Sequence, residues 1–263
     1  MLIHTRGAIF AIWVVLMAAG CANTSWTQAA VPVSNETRVP VLVELFTSEG
    51  CSDCPPADRL LEELDKEQPV PGAQAIVLSE HVTYWNHDGW TDPFSFTEID
   101  ERQKDYGDRF RIDSVYTPQM VIDGAAQMVG NNAPEVARAV ANAAATPKKP
   151  LTIADAHWDG GAATFTVRGA SDPGARLVAA LAENATQSQV ARGENAGHML
   201  HHVAVLRSIK DFGSNVADGK QLRLSGGILS HHKEDSAPAR LIVFLVDRKT
   251  GHVTGVAEQP MSR

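Results

Sequence analysis

Apolar residues follow two different periods in the first half of the chain. Compact apolar runs bounded by turn residues are typical of buried strands, whereas apolar residues spaced three and four apart are typical of amphipathic helices. The runs predict four strands, at Val41–Phe46, Ala73–Ser79, Gln119–Asp123 and Ala126–Val129. The helical spacing predicts three helices, which begin near Pro55 and after Ser95 and Asn132. The predicted order over residues 40–146 is therefore β-α-β-α-β-β-α, an α/β domain.

Turn and cap residues support these boundaries. Asp123-Gly124 is a strong hairpin signal between the third and fourth predicted strands. Ser95 and Glu98 have the spacing of a capping box, which predicts Ser95 as the cap of the second helix.

The pattern changes after the predicted linker Pro147–Pro150. Short strand-like runs are separated by Gly, Asp and Pro, and helical spacing is hard to find in this half. The predicted strands are Leu151–His157, Ala162–Arg168, Arg176–Glu183, His201–Ile209, Gln221–Leu224, Leu241–Asp247 and His252–Ala257. Regularly spaced strands with turn signals predict a smaller β-rich, sandwich-like domain at residues 150–263.

The N-terminus has the pattern of an export signal. A weakly basic start precedes an apolar run from Ala8 to Ala19 that is too short to span a bilayer comfortably. We predict a signal peptide at residues 1–30, a polar tether at residues 31–39, and a periplasmic or secreted protein with no transmembrane domain after signal removal. The box that ends at Cys21 also resembles a bacterial lipoprotein signal. Cys21 is therefore either a lipid anchor or a residue discarded with the signal.

Composition and motifs narrow the classes of function. Hydrophobic residues make up 44% of the 263 positions, as in an ordinary globular protein. The net charge of −8 is unsuited to binding nucleic acid or an anionic membrane surface. The sequence contains no GxSxG, no HExxH and no dinucleotide-binding fingerprint.

Beyond the export segment, the chain has two cysteines, Cys51 and Cys54, in a CxxC spacing. Two sulfurs at a helix start close a disulfide easily, and the helix N-terminus stabilises an outward-pointing thiolate. We assign Cys51 as nucleophile and Cys54 as resolving thiol, with their disulfide as the only cofactor and no metal. Asp53 and Glu49 would raise the pKa of that thiolate, which favours reductase or isomerase chemistry over strong oxidation. His81, after the second strand, is a third candidate modulator.

These motifs resemble those of a known superfamily. A strand, a CxxC and a helix, with Thr117-Pro118 ahead of the third strand, look like the thioredoxin superfamily. The resemblance implies a thioredoxin-like fold, a cis bond at Pro118, and binding of the substrate backbone by Thr117 and Pro118.

A closer resemblance covers most of the chain after the signal. The segments FTSEGCSDCPPAD, HVTYWNHDGWTDPF, VYTPQMVIDG and RGENAGHML are similar to a bacterial family of secreted thioredoxin-like proteins of unknown function. Many members have aspartates where this chain has Thr83 and Asn86. The Trp-Cys-Gly-Pro-Cys motif of thioredoxin is absent, so a general protein reductase is not implied.

The sequence leaves three functions open. A thiol–disulfide oxidoreductase acting on protein or small-molecule thiols and disulfides is the main prediction. The first alternative is copper or zinc handling by the two cysteines with His81 as a further ligand. The second is a non-catalytic binding module on the same fold. Five further histidines match no known zinc spacing: His198, His201, His202, His231 and His232. The loop Arg192–Gly197 contains glycine but does not have the spacing of a phosphate loop.

Overall fold

The computed structural model describes Leu2 and residues 38–87, 89–226 and 239–261. The rest of the predicted signal peptide with Cys21, the predicted tether as far as residue 37, and His231 and His232 lie outside the described residues. Within the described ranges, no helix is long and apolar enough to cross a membrane.

Over residues 38–87 and 89–146 the chain forms four strands and three helices. They are β1 Val39–Thr47, α1 Pro55–Glu67, β2 Ala73–His81, α2 Thr97–Phe110, β3 Gln119–Ile122, β4 Ala126–Val129 and α3 Ala133–Ala144. The strand β1 is buried from Val41 onward and lies between β2 and β3. It runs parallel to β2, with Thr47 opposite His81 at the last register pair. The chain therefore leaves β1 and β2 at the same edge of the sheet, and the CxxC segment follows β1 at that edge.

The predicted turn at Asp123-Gly124 joins β3 to β4. Both residues have positive φ, 49° and 60°, and the Ala125 amide donates to the Ile122 carbonyl at 2.9 Å. Positive φ at both central positions is the geometry of a type I′ turn, which Asp-Gly favours. The Leu42 amide also donates to Asp123 Oδ1 at 2.9 Å. The turn residue thereby attaches the hairpin to β1.

One predicted helix cap is wrong. The N-cap of α2 is Phe96, which has extended backbone and no side-chain cap, rather than Ser95. The Ser95 hydroxyl donates to the Asp92 carbonyl and accepts from Asn86 Nδ2, both at 2.9 Å. Because the preceding loop uses this hydroxyl, it does not cap the helix.

The described part of the second half contains seven strands. They are β5 Thr152–Asp159, β6 Ala162–Arg168, β7 Ala175–Gln189, β8 Met199–Ser214, β9 Gln221–Ser225, β10 Ala239–Asp247 and β11 Val253–Met261. Four of them join a sheet of eight strands in the order β11-β10-β7-β8-β2-β1-β3-β4. The other three form a separate sheet in the order β5-β6-β9. The result is a mostly β fold with few helices.

The two predicted domains, 40–146 and 150–263, share the larger sheet. Strand β8 of the second half lies parallel to β2 of the first, with Val205 opposite Ser79. The described residues between 38 and 261 belong to one compact unit. The predicted linker joins α3 to β5 of the three-stranded sheet, whereas β8 connects the second half to the larger sheet.

Alternate side chains of β7 and β10 enter two different cores, because successive side chains of a strand point to opposite faces. Ala180 and Phe244 belong to the core that contains β1, β2 and the helices. Leu181 and Val243 belong to a second core, which the three-stranded sheet covers. The first core thus depends on side chains from both halves of the chain.

Candidate functional site

Cys51 and Cys54 form a disulfide at the start of α1, with their Cα atoms 5.4 Å apart. The Cys54 amide donates to the Cys51 carbonyl at 3.2 Å, and the Asp58 amide donates to the Cys54 carbonyl at 3.1 Å. Cys54 is the N-cap of α1, and proline follows in the first turn, where a missing amide donor costs no helical hydrogen bond. The predicted pair of sulfurs at a helix start is therefore present.

This disulfide is covered. Cys51 retains 1% of its accessible surface and Cys54 0%, whereas Ser52 and Asp53 between them are exposed. The prediction that Cys51 points outward is wrong for this structure. The cause is tertiary, because two loops that are distant in the sequence pack against the turn that carries the cysteines.

Thr117 and Pro118 lie near the start of α1. Their peptide bond is cis. A Cβ atom at Gly130 would lie 3.3 Å from Pro118 Cβ and 3.2 Å from Ala57 Cβ. Since a side chain larger than hydrogen would crowd this point, Gly130 permits the proline loop and α1 to pack closely. The predicted substrate-binding residues therefore reach the end of the sheet that carries the disulfide.

The loop after β2 covers the CxxC turn from one direction. A Cβ atom at Gly50 would lie 2.7 Å from the Trp85 carbonyl oxygen, so only glycine permits this approach. Trp85 Nε1 also donates to Thr117 Oγ1 at 2.7 Å. Trp85 thus connects the cysteine turn to the proline loop.

The loop between β7 and β8 covers the turn from the second half of the chain. Asn195 Nδ2 donates to the carbonyl oxygens of Glu49 and Cys51, both at 2.9 Å. Glu194 Oε2 accepts from the Ser52 amide at 2.9 Å. The glycine-containing segment singled out in the sequence therefore binds the cysteine turn.

Glu49 is fully buried behind the turn. Its Oε1 lies 3.2 Å from His202 Nε2. Its Oε2 accepts hydrogen bonds from Trp90 Nε1 at 3.0 Å and from Ser188 Oγ at 3.1 Å. The predicted modulator is two positions from Cys51, and its charge is paired with a histidine.

His202 is a buried cation between two carboxylates. Its Nδ1 lies 3.8 Å from Asp58 Oδ1, which is too long for a hydrogen bond but close enough for a strong charge interaction. Burial alone would lower the pKa of His202, but Asp58 and Glu49 raise it to about 10. The imidazole is therefore protonated at neutral pH. Asp58 also accepts a hydrogen bond from Thr47 Oγ1 at 3.0 Å.

His81, at the end of β2, is linked to the cysteine turn through Asp92. His81 Nδ1 lies 2.7 Å from Asp92 Oδ2, and the same oxygen accepts from the Glu49 amide at 2.8 Å. Burial alone would raise the pKa of Asp92, but His81 and the amides of Glu49 and Phe94 lower it to about 2. The rings of His81 and His202 meet edge to face, with centroids 4.6 Å apart.

The remaining candidates lie at the surface. Asp53 is exposed between the cysteines, and His198 and His201 are exposed near the start of β8. In the described part of the chain, no group of three or more His, Cys, Asp or Glu side chains has an arrangement that would hold a metal ion.

Sequence reasoning missed four residues of this site: Asp58, Asp92, Asn195 and His202. Asp58 follows Cys54 by four positions, so helical spacing places both residues on one face of α1. This spacing could have identified Asp58 as a site residue from the sequence. His202 also had a signal, because successive residues of the predicted strand His201–Ile209 point to opposite faces. Asp92 and Asn195 lie in the quoted segments HVTYWNHDGWTDPF and RGENAGHML, but nothing local shows that either contacts a turn that is distant in the sequence.

The fold and the site define a mostly β protein with a covered CxxC disulfide. A family profile described as "Protein of unknown function (DUF1223)" matches residues 42–246, and the chain belongs to this family. A crystal structure of a structural-genomics target from Agrobacterium tumefaciens is similar in fold, with a TM-score of 0.63. The match covers 84% of this chain and 94% of that chain at 23% identity. No curated protein matches the sequence.

Proposed function

We propose that this chain is an exported, thioredoxin-like protein that exchanges disulfides through Cys51 and Cys54. The observation that carries the proposal is the disulfide at the N-terminus of α1, with the Thr117–Pro118 loop packed near the same helix start. The order of strands and helices before residue 146 and the position of the cysteines after β1 support a thioredoxin-like unit. A disulfide also suits an oxidising compartment such as the periplasm.

The proposed reaction is a pair of thiolate displacements. A partner thiolate attacks Cys51 Sγ, a new sulfur–sulfur bond forms, and the electron pair of the Cys51–Cys54 bond leaves on Cys54. A second partner thiol then attacks the mixed disulfide and releases Cys51, so the partner is oxidised and the protein gains two electrons. The reverse sequence reduces a partner disulfide. The partners are protein or small-molecule thiols and disulfides.

Charges around the turn support a site that is not a strong oxidant. Asp53 adds a negative charge at the surface, next to both cysteines. Negative charge disfavours the thiolate form, and this makes the disulfide harder to reduce. The charge of Glu49 contributes less than the sequence suggested, because His202 offsets it. Reductase or isomerase chemistry is therefore the direction that we favour.

One observation favours a second candidate, a non-catalytic binding module. Because Cys51 retains only 1% of its accessible surface, a thiol has no open approach to it in this structure. If the turn never opens, the disulfide is a structural link and the protein binds partners without turnover. Copper or zinc handling by the two cysteines would first require their reduction, since both sulfurs are held in the disulfide.

A cycling assay separates the two candidates. Dithiothreitol would serve as the reductant and glutathione disulfide as the oxidant, with wild type, Cys51→Ser and Cys54→Ser compared. Exchange that is faster than the background reaction for wild type and lost in Cys51→Ser would support the oxidoreductase. Equal rates for wild type and Cys51→Ser would support the binding module.

A further inference from the structure

The loop between β7 and β8 contacts the turn that carries Cys51 and Cys54. The residues of this loop differ sharply in their solvent exposure. Six of its residues are exposed: Ala191, Arg192, Glu194, Ala196, Gly197 and His198. Between Ala191 and His198, Asn195 is the only buried residue, and it retains 6% of its accessible surface. One polar side chain is therefore inserted against the cysteine turn from a loop that otherwise faces solvent.

Three hydrogen bonds connect the tip of this loop to the turn. Asn195 uses both hydrogens of its amide, one for the Glu49 carbonyl and one for the Cys51 carbonyl. Glu194 adds a charge-assisted bond from the Ser52 amide. Water can replace all three partners, so detachment of the tip leaves no carbonyl or amide without a hydrogen bond.

The tip of the loop can move away from the cysteine turn while the base of the loop keeps its hydrogen bonds. The amide of Val190 donates to the His198 carbonyl at 3.0 Å, and the Gly197 amide donates to the Val190 carbonyl at 2.8 Å. Val190 itself is fully buried. Because these contacts lie below the tip, they would remain while Glu194 and Asn195 move. Segments held by few buried contacts are the ones that open locally.

We propose that Glu194 and Asn195 form a latch that covers the Cys51–Cys54 disulfide and must be released before a thiol can attack Cys51. This inference rests on the proposed function and accounts for the burial of a cysteine that has to be reached. In the closed state the disulfide is protected from reduction. A partner that displaces the latch gains access to Cys51 Sγ.

The latch makes attack on Cys51 a two-step process. Opening comes first, and the displacement that moves electrons from the attacking thiolate to Cys54 comes second. When opening and closing are fast, the observed rate is proportional to the open fraction. Coupling is reciprocal, so any change that favours the open state also favours reduction.

The test is the rate at which dithiothreitol reduces the disulfide under pseudo-first-order conditions. Reduction converts two thiols of dithiothreitol into its cyclic disulfide and yields free thiols at Cys51 and Cys54, which are counted after quenching. Asn195→Ala should reduce about tenfold faster than wild type, because two hydrogen bonds of the closed state are lost. The matched control is Asn142→Ala, which changes an exposed asparagine of α3 and should leave the rate unchanged.

A second variant keeps the latch testable if Asn195→Ala does not fold. Glu194 is exposed, so Glu194→Ala removes the hydrogen bonds with the Ser52 amide and side chain and the charge interaction with His87, and it should accelerate reduction by about threefold or more. Glu63→Ala, at an exposed position of α1, is its control. Rates equal to wild type for Glu194→Ala, and for Asn195→Ala if it folds, would overturn the latch.

This experiment is independent of catalytic turnover. Dithiothreitol reduces the disulfide stoichiometrically, whether or not the protein acts on a partner. If the latch variants are reduced faster than wild type but the cycling assay shows no exchange, the proposed function is wrong and the latch is supported. If wild type exchanges disulfides but neither variant changes the rate of reduction, the latch is wrong and the proposed function is supported.

Discussion

Glu49 Oε1 and His202 Nε2 lie 3.2 Å apart, although 153 positions separate the two residues in the chain. Glu49 belongs to the turn that carries the cysteines, and His202 belongs to a strand of the second half. The pair is buried, and Asp58 on α1 lies on the other nitrogen of the imidazole. One cation from the second half therefore balances two carboxylates that flank the CxxC on either side.

The first prediction concerns stability at alkaline pH. The pKa of His202 is about 10 in the folded protein and 6.5 as a free side chain. Its charge therefore stabilises the fold fully below about pH 6.5, and this contribution is lost as pH rises toward about 10, with a slope of up to about 1.4 kcal/mol per pH unit. Unfolding by urea at pH 7, 8 and 9 would measure it.

The matched variants for this prediction are His202→Gln and His201→Gln. His202→Gln leaves Glu49 and Asp58 buried without a cation and should lower the free energy of unfolding by about 3 kcal/mol at pH 7. Its stability should then change little between pH 7 and 9. His201→Gln, at the exposed neighbouring position, should behave as wild type. An unchanged alkaline slope in His202→Gln would count against the buried cation.

The second prediction concerns stability in acid. Because the folded protein holds the pKa of Asp92 at about 2, against 3.8 for the free side chain, its contribution is complete above about pH 4. That contribution is lost as pH falls through about 2. Asp92→Asn removes the charge that faces His81, and it should cost about 2 to 4 kcal/mol at pH 7.

Acid unfolding followed by circular dichroism would check this assignment. Asp92→Asn should lose less additional stability than wild type between about pH 4 and pH 2, because it has no carboxylate to protonate. Asp53→Asn alters an exposed aspartate of the same site and serves as the control. Parallel acid curves for wild type and Asp92→Asn would show that another carboxylate dominates.

The third prediction concerns the unity of the fold. Strand β8 pairs with β2, and Leu206 and Phe244 of the second half belong to the core around β1. Arg240 of β10 also binds both carboxylate oxygens of Asp65 on α1, at 2.7 and 3.0 Å. Residues 36–146 expressed alone should therefore show no cooperative unfolding, whereas residues 36–263 should unfold in one transition.

Two probes of denaturant unfolding, far-ultraviolet circular dichroism and tryptophan fluorescence, would measure this on both proteins. Coincident curves for residues 36–263 are the expected result. Cooperative unfolding of the 36–146 fragment, or separate transitions in the longer protein, would instead support two independent domains.

Local patterns in the sequence were sufficient to predict most of the individual elements. Ala162–Arg168 is β6 as predicted, and the Asp123-Gly124 turn has the expected backbone, because both depend on side-chain period and glycine-compatible dihedrals. The cap at Ser95 was wrong because a tertiary loop uses its hydroxyl. The contact of β2 with β8 could not be predicted from local patterns, since strand pairing across distant segments leaves no mark on either strand.

In the candidate site, too, some features could be predicted from local sequence and others depend on tertiary contacts. Cys51 and Cys54 could be placed at a helix start because spacing, proline and the preceding strand are all local signals. Their burial could not be predicted, because Asn195 reaches them from 144 positions away. Charge compensation of Glu49 by His202 likewise depends on the closed tertiary structure. Local chemistry could thus be predicted, whereas access and electrostatics required the assembled fold.

Disulfide exchange at Cys51 is tested best by capture of a mixed disulfide on this residue. Cys54→Ser, reduced and then exposed to glutathione disulfide, would be analysed as an intact protein by mass spectrometry, with Cys51→Ser treated in the same way. We expect one glutathione on Cys51 in Cys54→Ser and its release by dithiothreitol, with much slower addition to Cys54 in Cys51→Ser. Absence of a glutathione adduct on folded Cys54→Ser, or equal addition to both variants, would contradict this expectation.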